Sequence, residues 1–324
     1  MTISNYVTGA SQIGANKVLT SIAQGYSNSS FIGNFLFPLV ETQELNGRRI
    51  EFDSSPFELY DDQRVPGGRY KEIQSGYVGK SYQLDLHGNV YRIPVEEMNQ
   101  AETIGLDWGR MAAERLMQAQ GLALENQQAT LALNVSNYGN NNKVTLTGTD
   151  KWSDSTSKPA ENIRAYRAAI QSVIGVEPNV LVLGYEVFNA LAEHPSMRDK
   201  FKYTSKDSLT PDLLGAVFGF DKVLIGTAIK NVAGTPTRIW GKDAILAYTN
   251  PAALNGARIS YQTGSSITKF EPAFGYTYVY AGHPFMTNQW FEPNDDSYRI
   301  KITFNRSAEI VWSQAGFLVK GAVA

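Results

Sequence analysis

Asn179-Val-Leu-Val-Leu-Gly184 is the stretch on which the fold turns. Four apolar residues in a row, bounded by Asn and Gly, describe a short strand covered on both faces. Tyr185 to Ala192, directly after it, reads as a helix. Upstream, Ile163, Tyr166, Ile170, Val173 and Ile174 recur at three- and four-residue steps and stop at Gly175, which predicts an amphipathic helix with a glycine end. Downstream, His194-Pro195 closes the second helix. Thr210 then caps and Pro211 opens a third, Asp212 to Phe218, with Gly219 as its stop. Val223-Leu-Ile225, Ile239-Trp240 and Ala244 to Tyr248 read as strands. Residues 160–258 are thereby expected to form one mixed α/β block.

Before this block lies the longest helical signal, within residues 93–159. Ala101, Ile104, Trp108, Met111, Ala112, Leu116, Ala119, Leu122, Ala123, Ala129 and Leu133 share one face, and Glu, Gln and Arg fill the other. A helix from Ala101 to Leu133 would be roughly 50 Å long. Gly105, Gly109 and Gly121 predict a bend or a close approach of another backbone. The turn-rich cluster Asn137-Tyr-Gly-Asn-Asn-Asn142 ends it, and Val144 to Thr147 alternates as a strand.

Further out, residues 46–92 read as a long two-stranded excursion. Arg48 to Phe52 supplies one strand; Tyr82, Leu84 and Leu86, alternating with Gln83 and Asp85, supply the other. Between them Pro56, Asp61-Asp62, Pro66-Gly67-Gly68 and Gly76 mark a polar loop of a length that is normally functional or shared with a partner. Residues 1–45 read as an arm, polar up to Ser30 and then apolar in Phe31-Ile-Gly-Asn-Phe-Leu-Phe-Pro-Leu-Val40. Residues 259–324 are nearly all β, with strands at Phe274 to Tyr280, Tyr298 to Phe304, Glu309 to Trp312 and Phe317 to Val319. The whole is α+β.

Composition narrows the function. Twenty-nine Lys and Arg against 31 Asp and Glu leave a formal charge of −2 over 324 residues, which excludes a protein whose main task is gripping nucleic acid. With no cysteine there are no disulfides, thiolate nucleophiles or thiolate metal sites, as fits a reducing cytoplasm. No apolar run approaches the roughly 18 to 20 residues of a membrane span, and Met1 to Tyr6 is not a signal peptide. Three histidines, His87, His194 and His283, stand far apart without metal-ligand spacing; His194 reads as a cap to a carbonyl at a helix end. Gly79-Lys80-Ser81 ends like a phosphate-binding loop, but position 74 is Gln74 and a strand follows, so no nucleotide site is expected. Asp61-Asp62, Glu96-Glu97 and Asp295-Asp296 are adjacent acids that suit solvated turns; Asp295-Asp296, after Pro293-Asn294, suits one best. No catalytic, cofactor-binding or metal-binding residues are assigned.

The order of polar arm, long loop, spine helix, α/β block and β-rich tail resembles the major capsid protein of tailed bacteriophages, the Hong-Kong-97-like fold. Asn179 to Gly184 looks like that family's strand entering a helix, and His194-Pro195 followed by Lys202-Tyr203 looks like its helix end. Leu213 to Val223, Ile225-Gly-Thr-Ala228, Ile239-Trp-Gly241 and the closing Ala315 to Val323 are similar to later steps in the same order. The resemblance implies an N-terminal arm (1–45), an extended loop (46–92), a peripheral domain with the spine helix (93–159), an axial domain (160–258) and a β-rich return through both (259–324). It implies no enzyme, but a shell subunit closing as pentamers and hexamers into an icosahedral phage head around double-stranded DNA, assembled in the host cytoplasm and lodged in the virion.

A portal and, because the arm begins close to Met1, a separate scaffolding protein are the implied partners; a decoration protein has room, and contact with DNA is expected to be weak and non-specific. Some relatives cross-link Lys to Asn between subunits; Lys71 and Lys80 lie in the loop, but Lys in a polar loop is usually just solvated. An encapsulin, a compartment of the same fold around protein cargo, is the alternative. The physical expectation is that the arm and loop bury apolar side chains on neighbouring copies through Phe31, Phe35, Phe37, Tyr82 and Leu84, so that removing residues 1–40 leaves folded subunits unable to form shells.

Overall fold

A computed structural model describes residues 17–24, 28–51, 59, 63, 79–103, 107–201, 209–255, 271–281 and 286–324. The expected polar loop with Pro56, Asp61-Asp62, Pro66-Gly67-Gly68, Lys71 and Gly76 lies outside the described residues, as do residues 1–16, Gly105, Lys202-Tyr203 and His283-Pro284.

The first described elements are helices α1 (Lys17–Gln24) and α2 (Gly33–Leu36) and strands β1 (Leu39–Thr42), β2 (Asn46–Ile50) and β3 (Gly79–Gln83). β4 (Asp85–Pro94), α3 (Val95–Thr103), α4 (Trp108–Ala132) and β5 (Lys143–Thr145) follow. The α/β block holds α5 (Pro159–Ile174), β6 (Val180–Gly184), α6 (Tyr185–Glu193), α7 (Pro195–Phe201), α8 (Pro211–Phe218), β7 (Lys222–Gly226), β8 (Ile229–Val232), β9 (Thr235–Arg238), β10 (Ala244–Ala247) and α9 (Pro251–Asn255). β11 (Gly275–Tyr280), β12 (Met286–Glu292), β13 (Ser297–Ile310) and β14 (Gly316–Lys320) complete the order.

Two five-stranded sheets organise the body. In one, β1, β11, β13 and β12 lie in that order and β4 also pairs with β13. The other runs β5-β14-β10-β6-β7. All five residues of β6 are buried, as its unbroken apolar run requires, and β6 lies parallel to β7 through the crossover helices α6, α7 and α8. The largest apolar core joins this second sheet to α5, the end of α4 and the segment around α2; a second core fills the space between α1, α4 and the β4–β13–β11 face.

Local chemistry sets the helix ends. Pro159 opens α5 and Gly175 closes it at φ 70°. The Thr210 hydroxyl accepts the Leu213 amide at 3.3 Å, and Gly219 ends α8 at φ 71°. Three expectations are corrected. The long helix is two helices, because the Asp107 carboxylate accepts the Arg110 amide at 3.1 Å and starts α4 afresh; α4 then runs 25 residues, about 37 Å, straight through the buried Gly109 and Gly121. Pro195 does not merely close a helix but opens α7 at once. Ile239-Trp240 is a bend, not a strand, and follows the hairpin β8–β9, whose turn at Ala233 (φ 50°) and Gly234 (φ 87°) has the two positive φ values of a tight hairpin.

Candidate functional site

Among the described residues no group of three or more His, Asp or Glu is placed to hold a metal ion, and no helix is long and apolar enough to cross a membrane. The expected arm, loop root and spine helix fall on residues 17–42, on β2–β3 and on α4.

Four of the five expected contact residues are covered by their own chain. Phe31 and Phe37 are buried in the largest core, and the Phe37 ring lies 5.5 Å from that of Phe274. Tyr82 and Leu84 are buried with Val40, Tyr276, Tyr278 and Val311. The physical reason is that β3 leaves its partner β2 at Leu84, where the chain turns to pair with β13, so the loop's root is fastened inside the body. The Tyr82 hydroxyl shares a 2.7 Å hydrogen bond with Thr42, and the Leu84 amide donates to the Leu45 carbonyl at 2.8 Å. Arg49 on β2 adds an ion pair with Glu309 at 3.0 Å. Burial raises the Tyr278 hydroxyl pKa well above its ordinary value. Phe35 alone of the five stays half-exposed, with the Lys222 ammonium 4.7 Å above its ring.

Part of the polar side of α4 does not face water, although Arg110, Arg115 and Gln118 are exposed. Gln120, Glu125 and Gln128 are buried, because the helix is packed against the sheet on one side and the arm and α/β block on another. Glu125, 2 % exposed, accepts the Ile32 amide (3.0 Å) and the Trp240 indole N–H (2.6 Å) on Oε1 and the Gly33 amide (2.8 Å) on Oε2. Burial pushes its carboxyl pKa up, against the pull of these three donors. Gln128 donates to Asn34 at 2.7 Å and to Thr277 at 3.0 Å. The buried Arg306 guanidinium donates to the Gln120 carbonyl at 3.1 Å and lies over the Phe304 ring. Sequence reading missed this row: the donors to Glu125 come from positions 32, 33 and 240, and nothing local announces them.

His194 is buried, and its ring serves the start of α7 and the Asp154 loop, not the carbonyl end of α6 that the sequence suggested. Nδ1 accepts the Ser196 amide at 3.2 Å, which puts the proton on Nε2 and lets it donate to the Asp154 carbonyl at 2.9 Å. Asp295-Asp296 lies in the turn between β12 and β13; Asp295 accepts from Ser297 (2.6 Å), Arg299 (2.7 Å) and Arg92 (3.1 Å).

One open apolar face is the outward side of β4. Among the described residues β4 pairs with β13 alone, so it is an edge strand of ten residues. The alternation that buries Tyr82 and Leu84 runs off the body at Leu86, which is 70 % exposed, and Val90 on the same side is 49 % exposed.

Comparison with known proteins places this architecture. Residues 110–306 match the family model of phage major capsid protein E. The chain is 30% identical over 311 residues to the major capsid protein of Burkholderia phage BcepMu, covering 94% of this chain and 95% of that one. A crystal structure of a phage-related protein from Bordetella bronchiseptica RB50 superimposes with a TM-score of 0.78 at 28% identity, over 96% of this chain and 98% of the other. The mature capsid of bacteriophage PhiM1, at 13% identity and a TM-score of 0.52, covers 97% of this chain and 90% of its own and shares the fold. The chain therefore belongs to the phage major capsid protein E family, a structural subunit of a virion capsid and not an enzyme.

Proposed function

We propose that copies of this chain close as pentamers and hexamers into an icosahedral head around packaged double-stranded DNA. The observation that carries the reading is the match to the BcepMu major capsid protein over 94% of this chain. In this reading residues 93–159 with α4 form the peripheral domain, 160–258 the axial domain, and 46–92 the extended loop that reaches a neighbour from a root fixed in its own body. The contact surface is then not the buried Phe31, Phe37, Tyr82 and Leu84 but what stays outside: Leu86 and Val90 on β4, and the half-exposed Phe35. A separate scaffolding protein and a portal serve assembly, with room for a decoration protein. The formal charge of −2 supports weak, non-specific contact with the genome, since a basic wall would hold DNA back during packing and release.

Light scattering and electron microscopy of the chain, expressed alone and with its scaffold, test the reading. Closed megadalton particles are expected, and particles taken from infected cells should hold nucleic acid. A small oligomer under every condition sinks the proposal; particles filled with protein cargo in place of DNA would favour an encapsulin.

A further inference from the structure

We infer that Glu125 is a three-way latch that makes the arm, the spine helix and the axial block move as one body. Its two carboxylate oxygens meet three N–H donors, two from the arm (Ile32, Gly33) and one from the bend after the β8–β9 hairpin (Trp240). No apolar residue of the same volume could hold three separate donors away from water. One helical turn on, Gln128 donates to Asn34 beside Gly33 and to Thr277, whose hydroxyl donates to the Phe37 carbonyl at 3.1 Å, so α2 is gripped at both ends. Gly33 is part of the fit: a Cβ there would strike the Gln128 and Glu125 side-chain oxygens. Lys230 of the hairpin donates to Asn126 at 2.8 Å, a second tie between the axial block and the same turn of the helix.

The chemistry makes the latch discrete. An apolar contact can slide by fractions of an ångström, whereas a desolvated carboxylate that loses one donor leaves both partners buried and unpaired. Shape changes that shift the axial block against the arm must therefore break either the Trp240 bond or the Ile32 and Gly33 pair, and so strip Glu125 of a buried donor. Coupling of this kind is reciprocal: disturbing the Trp240 end loosens the Ile32–Gly33 end.

Amide exchange on the full chain tests this, whatever shells it forms. Glu125→Gln keeps the shape, but its amide nitrogen must face an N–H wherever it points. Exchange at Ile32 and Gly33 is expected to rise about ten- to a hundredfold, the loss of charged hydrogen bonds, while Val182 and Leu246 in the second sheet stay as they were. Trp240→Phe leaves the carboxylate and removes only the axial donor; it should raise exchange at the same two amides, although neither is bonded to the indole. If Trp240→Phe leaves Ile32 and Gly33 at their original rates, or if every amide speeds up alike, the latch is overturned. Should Glu125→Gln fail to fold, Trp240→Phe decides alone.

Discussion

The rings of Tyr82 and Tyr278 lie 4.5 Å apart and 8° from parallel, so the root of the extended loop is stacked on the central strand β11 of the same chain. On the proposed reading the excursion between β2 and β3 reaches a neighbour, and this stack gives it a rigid base. Tyr82→Ala is expected to destabilise the subunit by about 3 kcal/mol, from lost burial and the cavity left behind. Tyr82→Phe keeps the stack, loses only the hydrogen bond to Thr42, and should cost about 1 kcal/mol. Chemical denaturation of the two variants measures both; equal losses would mean that the hydroxyl and not the stack holds the root.

The described part of the arm is equally internal, and this changes what its removal is expected to do. Deleting residues 1–40 takes Leu19 and Ala23 from one core and Phe31, Ile32, Leu36 and Phe37 from another. It also removes half of β1 and all the arm's donors to Glu125. The truncated chain is expected not to fold, with flat thermal unfolding and exposed apolar surface, in place of the folded monomers that a purely external arm would leave.

Much of this was legible in the sequence, and the misses have physical causes. β6 stood out because four apolar residues between Asn179 and Gly184 fit a strand buried on both faces, and α8 because Thr210, Pro211 and Gly219 are local capping chemistry. The position of α4 followed from its apolar period, but its far side was misread. Met111, Arg115, Gln118, Ala119, Ala123 and Thr130 make the exposed stripe while Gln120, Glu125 and Gln128 lie off it and are buried, so residue type did not mark the wet face. β12 and the hairpin β8–β9 escaped notice because Thr287, Asn288 and Gln289, like Lys230, Asn231, Thr235 and Thr237, break the alternation that marks a strand; their pairing is fixed by β13 and by a two-residue turn. Alternation identifies which side chains seek apolar cover, not whose chain provides it, and Phe31, Phe37, Tyr82 and Leu84 find cover in their own chain.

Gly184, the end of the stretch that decides the fold, tests the packing of the second sheet. A Cβ there would run into the Gly241 carbonyl oxygen, which is backbone and cannot turn aside. Gly184→Ala is expected to destabilise by about 3 kcal/mol through overpacking. A loss under 1 kcal/mol in denaturant unfolding would show that the Gly241 bend yields.

Asp295 makes a pH prediction. In the β4–β13 register Arg92 stands opposite Arg299, two like charges whose repulsion Asp295 offsets by bonding both. Its carboxyl is held below its ordinary value of 3.8, first by the Ser297 hydroxyl and then by the two guanidiniums. A depressed folded pKa means that the carboxylate steadies the turn at every pH above 3.8 and that this support is lost as the pH falls through the folded value. An NMR titration should find the Asp295 midpoint under 3.8, and Asp295→Asn should abolish the change in protection factor (exchange relative to the intrinsic rate at the same pH) of the turn amides between acid and neutral pH. A midpoint at or above the ordinary value would contradict it.

The open face of β4 is where assembly and folding can be separated by experiment. Leu86 and Val90 point away from the body, so replacing both by Lys removes almost no packing, and the isolated subunit should keep its unfolding free energy within about 0.5 kcal/mol. In a shell the same change would bury two charges against a neighbour, at several kcal/mol for each contact repeated around the lattice. Sedimentation and electron microscopy of Leu86→Lys with Val90→Lys should show folded subunits and few or no closed particles. Particles in normal yield would show that this face stays open to solvent in the shell, and the contact surface would then have to lie elsewhere on the body, with the exposed Ile229 and Val232 of the β8–β9 hairpin next to be changed in the same way.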